Sequence, residues 1–177
     1  RPLSILGWIV AITGAIGSGK TTLAVRLAAQ TGAVHLSSDD IRMSLSRKQR
    51  RSGERVFGEL HHRFERALEQ ERSVVLDSTG MSPRFRALLR AHRERIVHVH
   101  LLLESAHCFE EREERRTDRS QGALSRAAFL RSKHVEFSNA PDVVVATDDL
   151  SLEQVYREVT AAARALGVPV AFASSQC

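Results

Sequence analysis

Ile9-Val10-Ala11-Ile12-Thr13-Gly14-Ala15-Ile16-Gly17-Ser18-Gly19-Lys20-Thr21-Thr22-Leu23 is the stretch on which the fold turns. Its centre, Gly14 to Thr21, matches G-x-x-x-x-G-K-[ST] without departure. The apolar approach reads as a buried strand, and the exit from Thr22 to Leu27 reads as a helix, which is the setting a phosphate-binding loop requires. Glycines let the backbone wrap a polyphosphate with its N–H groups turned inward, and the following helix adds its positive end. Gly14, Ala15, Ile16, Gly17, Ser18, Gly19, Lys20, Thr21 and Thr22 are therefore the expected nucleotide contacts. Within them Lys20 is expected to bridge the β- and γ-phosphates, and the Thr21 hydroxyl to ligate Mg²⁺.

Outward from this loop, apolar runs alternate with helical patterns along the chain. Strands are expected at Ile5–Thr13, Ala33–Ser37, Ser73–Asp77, Ile96–Leu103 and Asp142–Ala146. Helices are expected at Lys20–Gln30, Arg55–Gln70, Pro83–Glu94, Ser105–Arg116, Ser125–Phe137 and Ser151–Leu166. Short Val- and Ile-rich strands, each followed by room for a crossover helix, predict an α/β fold with a parallel sheet and helices on both faces. The segment Arg47–Gly53 reads as the most mobile loop.

The chain has 177 residues, 42% hydrophobic and 27% charged, with 10 Gly and 4 Pro. This is a globular composition of one domain's length, so residues 1–177 are expected to form a single unit. Cys108 and Cys177 match no metal spacing, which predicts a reduced, cytoplasmic protein. The apolar stretch from Ile5 to Ile12 is far shorter than the ~20 residues of a membrane span. Arg1 in place of an initiator Met suggests a piece of a longer chain. The net charge of +5 favours anionic partners without choosing among them.

Three further features carry chemistry. Val34-His35-Leu36-Ser37-Ser38 runs into Asp39-Asp40-Ile41-Arg42, at the carboxyl end of a strand where ligands of open α/β sheets bind. A carboxylate there suits an alcohol acceptor that must be oriented and deprotonated, and Arg42 suits a phosphate. Ser38, Asp39 and Asp40 are also good caps for the helix that follows. Asp77, after Val74-Val75-Leu76, has the placing of a carboxylate that holds Mg²⁺, or of one that caps the turn at Ser78 and Thr79. The charged run from Phe109 to Arg119 follows the fourth strand, and is either a lid over the nucleotide or a solvated helix face held by pairs such as Glu111–Arg115. His98 and His100 share one face of a strand without the partners of a metal site.

On these motifs the chain resembles the P-loop kinases related to the kinase domain of phage and bacterial polynucleotide 5′-kinases, an AAA-type ATP-binding kinase-like domain. The phosphate loop, the strand ending in Asp-Asp-x-Arg, and the run Ser73-Val74-Val75-Leu76-Asp77-Ser78-Thr79-Gly80-Met81 follow that family in order over most of the chain. The resemblance implies a three-layer P-loop NTPase fold, with a five-stranded parallel sheet of order 2-3-1-4-5 and a helical lid over about residues 108–135. It implies Asp39 as general base, Arg42 on phosphate, and Arg112 and Arg116 as lid arginines on the nucleotide. Arg116 leads for the transferring phosphoryl group, with Arg115 and Arg119 in reserve.

The expected activity is transfer of the γ-phosphate of ATP, as its Mg²⁺ complex, to the hydroxyl of a polynucleotide 5′-end, a nucleoside or another small molecule. The competing expectation is an ATP-binding or ATPase switch with no dedicated acceptor. Gly80, where the family commonly has Asn, and the unmatched Arg47–Arg55 segment leave the acceptor open.

Overall fold

The computed structural model describes residues 7–117 and 123–170. The apolar runs pair side by side into one sheet built from β1 (Ile9–Gly14), β2 (Val34–Ser37), β3 (Val74–Ser78), β4 (Ile96–Leu102) and β5 (Val143–Ala146). All pairs are parallel and the spatial order is β2-β3-β1-β4-β5, as expected. Joining them are α1 (Lys20–Thr31), α2 (Ser38–Ser44), α3 (Gly53–Glu69), α4 (Pro83–Ala91), α5 (Ala106–Arg115), α6 (Arg126–Lys133) and α7 (Leu152–Ala165).

Successive side chains of a strand point to opposite faces, so a sheet covered on both sides needs apolar residues at every central position. Val10, Ile12, Val75, Val99 and Leu101 meet Leu23 and Leu27 of α1 and Val155 and Val159 of α7. Ile9, Ala11, Val74, Leu76 and Ile96 meet Val56, Leu60 and Phe64 of α3 and Phe85 and Leu88 of α4. A smaller cluster of Ala15, Leu103, Phe109 and Phe129 lies against the phosphate loop. In it the Phe109 and Phe129 rings stack with centroids 4.7 Å apart.

Several expected boundaries move for identifiable reasons. The segment from Arg47 to Gly53, expected as a loop, contains a 3₁₀ turn over Gln49–Arg51, and α3 opens at Gly53 because the Ser52 hydroxyl caps it at the Arg55 amide. The helix expected to run to Phe137 stops at Lys133. From there the chain leaves its helical path, and the Phe137 ring packs edge-on against His98 and His100. The first strand begins at Ile9, and residues 5 and 6 lie outside those described. No helix among the described residues is long and apolar enough to cross a membrane.

Candidate active site

β1 delivers the chain to the phosphate loop, and α1 leaves it with Lys20 as first helical residue. Gly17 and Gly19 sit at φ +80° and +90°, in the left-handed region that side chains disfavour. A Cβ at Gly17 would stand 2.7 Å from Phe109, and one at Gly19 would stand 2.8 Å from Leu152. Both positions therefore require glycine twice over, for conformation and for space. No side chain caps α1, so its first amides and its positive end remain available to an anion. Lys20 is buried, 6% exposed, and its ammonium has no hydrogen-bond or ion-pair partner among the described residues. Burying an unpaired cation is costly, and a polyphosphate would remove that cost. Thr21 and Thr22 follow it on the exposed side of the first turn.

The carboxylates lie at the same end of the sheet. Register pairs Asp77 with Ile12 of β1 on one side and with Ser37 of β2 on the other. Asp77 is 2% exposed, and neither of its carboxylate oxygens has a hydrogen-bond partner among the described residues. The turn after β3 is closed without it: Ser78 Oγ accepts from the Gly80 amide at 3.3 Å and Thr79 Oγ1 from the Met81 amide at 3.4 Å. Asp77 is thus not the turn cap. Buried oxygens left without partners, together with the Thr21 hydroxyl, are the hard oxygen donors that magnesium takes, and the residues fit that ion.

Asp39 and Asp40 occupy the first turn of α2, whose cap is Ser37, with its hydroxyl accepting from the amides of both aspartates at 3.2 and 3.4 Å. The capping role is therefore filled one residue before the three candidates for it. The half-buried Asp39 carboxylate makes no hydrogen bond or ion pair among the described residues. Arg42 turns to the neighbouring segment, donating from Nη1 to the Arg50 carbonyl at 2.8 Å. Arg50 in turn donates to the Leu45 carbonyl at 3.1 Å, so the two arginines knit α2 to the 3₁₀ turn.

Of the arginines expected in a lid, Arg112 stands at the phosphate loop. Its Nη1 donates to the Gly17 carbonyl at 3.3 Å and to Thr147 Oγ1 at 3.1 Å, and its Nη2 to the Thr147 carbonyl. Arg116 engages Glu113, with Nε 2.9 Å from Oε2. Arg115 is exposed, and Arg119 lies outside the described residues.

Three contributors escape a reading of the sequence. Ser132 Oγ accepts from the Ile16 amide at 2.9 Å, tying α6 to the phosphate loop. Thr147 receives Arg112. His35 stands with Nε2 3.6 Å from Asp77 Oδ2 and Nδ1 3.9 Å from Asp40 Oδ2. Just below the loop, Thr13 Oγ1 lies 2.8 Å from both His98 Nε2 and His100 Nδ1. Burial holds both rings in the neutral form, pushing the pKa of His98 down to about 4 and lowering that of His100.

Residues 9–136 match a protein family described as an AAA domain. The chain belongs to that family. The AAA domain here is P-loop kinase-like, and its fold recurs in solved structures. A gluconokinase from Sinorhizobium meliloti 1021 aligns at 20% identity and TM-score 0.65, over 94% of this chain and 95% of its own. Shikimate kinase from Aquifex aeolicus aligns at 19% identity and TM-score 0.57, over 90% and 98%. The structure of the Pnkp1/Rnl/Hen1 RNA repair complex aligns at 19% identity and TM-score 0.58, over 72% of this chain and 43% of that one. No curated protein matches in sequence.

Proposed function

We propose that this AAA domain is an ATP- and magnesium-dependent kinase that transfers the γ-phosphoryl group to a hydroxyl acceptor. The observation that carries the reading is the uncommitted Asp39 carboxylate, relieved of capping by Ser37, at the same sheet end as a complete phosphate loop. The solved gluconokinase and shikimate kinase of the same fold bear the names of small-molecule kinases, which favours a small alcohol as acceptor.

In this account the amides around Gly17 and Gly19, the start of α1 and the Lys20 ammonium bind the phosphates. Thr21 and Asp77 would hold magnesium, which supplies neutralisation of the phosphate charge. Asp39 accepts the proton as the acceptor O–H bond breaks; the new O–P bond forms as the bond from the γ-phosphorus to the bridging oxygen breaks and ADP leaves. Arg42 keeps Nε and Nη2 free of hydrogen bonds among the described residues, and so retains donors for phosphate beyond its brace on Arg50. Arg112 stands at the loop, and Arg116 meets the transferring group by exchanging Glu113 for phosphate. Helices α5 and α6 form the lid.

Incubation with γ-labelled ATP and Mg²⁺ against a panel of sugars, sugar acids, nucleosides and 5′-hydroxyl oligonucleotides tests the proposal. Label appearing on one class of acceptor supports it. Label released only as inorganic phosphate, at a rate no acceptor changes, would assign the domain to the ATPase switch class instead.

A further inference from the structure

Among the described residues, the buried side-chain atoms without hydrogen-bond partners include Ser18 Oγ, both carboxylate oxygens of Asp77, and Nε2 of His35. Three of these four belong to a single contact. His35 projects from β2, and parallel register places it two positions before Ser37, the residue paired with Asp77 of β3. With period-two alternation, His35 and Asp77 emerge on the same face of neighbouring strands. The ring reaches along that face until Nε2 stands 3.6 Å from Asp77 Oδ2, with 17% of the His35 side chain exposed. That separation is just beyond a direct hydrogen bond, and a small ring rotation closes it.

Orphaned polar atoms cannot persist at this density without cost, since each buried and unpaired group loses its hydration. A carboxylate that ligates a cation is as a rule fixed by a hydrogen-bond donor behind it, which selects the oxygen that faces the ion. Asp77 has no such donor from the backbone of its turn, because the Gly80 and Met81 amides are taken by Ser78 and Thr79. His35 is the side chain in place to supply it. Asp40, at 3.9 Å from Nδ1 and 69% exposed, is too well solvated to compete strongly for the ring.

We infer that His35 is a positioning residue for the metal carboxylate: its Nε2–H donates to Asp77 and orients that carboxylate toward magnesium. The inference rests on the reading of Asp77 as the metal carboxylate given above. It concerns magnesium affinity rather than the affinity for the nucleotide alone, because the phosphates are gripped by the loop amides and Lys20, which His35 does not touch.

The test is a magnesium titration of the full chain with a non-hydrolysable ATP analogue, followed by calorimetry, for wild type, His35→Ala, His35→Gln, His35→Asn and Asp77→Asn. Glutamine presents its amide nitrogen near the place of Nε2, whereas asparagine reaches only the place of Nδ1. The expected result is a roughly tenfold rise in the magnesium needed for half-saturation in His35→Ala and His35→Asn, with most of the wild-type affinity recovered in His35→Gln. Affinity for the analogue in EDTA should stay constant across the His35 series. An unchanged magnesium requirement in His35→Ala, beside a raised one in Asp77→Asn, overturns the role of His35 and leaves Asp77 standing. An unchanged requirement in Asp77→Asn removes the metal reading of Asp77 itself, and the inference with it. Equal weakening by Gln and Asn would reduce His35 to a packing role and also overturn the inference.

Discussion

Ser132 Oγ and the Ile16 backbone nitrogen are 2.9 Å apart, and this hydrogen bond fastens α6 to the middle of the phosphate loop. Ser132 is 1% exposed and donates its own proton to the Phe129 carbonyl at 2.8 Å. This one hydroxyl therefore couples α6 to the loop. Ser132→Ala leaves the Ile16 N–H without this partner and should cost about 1–3 kcal/mol of stability, read from urea denaturation. A Ser132→Thr variant retains the hydroxyl and should lose less, provided the added methyl is accommodated.

Gly17→Ala tests the loop's shape. The new methyl meets Phe109 at 2.7 Å and forces a backbone at φ +80° onto an alanine. The loop must shift or the Phe109–Phe129 stack must open, and the loop amides proposed to bind phosphate move with it. A fall of tenfold or more in ATP affinity is expected by calorimetry, with secondary structure retained in circular dichroism.

The pairing of Ser132 with Ile16 was invisible in the sequence for a physical reason: 116 residues separate the partners, and no local pattern encodes a contact made by folding. His35 is similar, since its approach to Asp77 follows from the register between β2 and β3 rather than from its neighbours. The loop was legible because its chemistry is local: glycines at forced conformations, then Lys20 and Thr21 on the first helical turn. Asp77 was legible as the acid ending an apolar run. The cap of α2 was not, because Ser37, Ser38, Asp39 and Asp40 are four good caps in a row and only the backbone shows that Ser37 is the one used. Likewise, the stop of α6 at Lys133 depends on where Phe137 finds its pocket against His98 and His100.

Acid should destabilise the fold through the histidines beneath the loop. The His98 ring is buried against Thr13, His100 and Phe137, with Asp142 and Arg93 as its nearby charges, and burial pushes its pKa down to about 4. A depressed histidine pKa means that the unfolded chain takes up a proton near pH 6.5 whereas the folded chain resists until about pH 4. Stability is therefore full above pH 6.5 and is lost as pH falls toward 4, by on the order of 3 kcal/mol from His98. Chemical denaturation at pH 7 and pH 4.5 should show this loss in wild type and a smaller one in His98→Gln.

In the proposed kinase a phosphate loop and a proton-accepting carboxylate act together, and Asp39→Asn separates them. The measurement is the rate of γ-label transfer to the acceptor in this variant, taken beside its ATP affinity. A fall of about 10²–10⁴-fold in transfer, with ATP binding within twofold of wild type, is the predicted result. Transfer at the wild-type rate would rule out Asp39 as the base, because the carboxylate would then have no part in moving the proton.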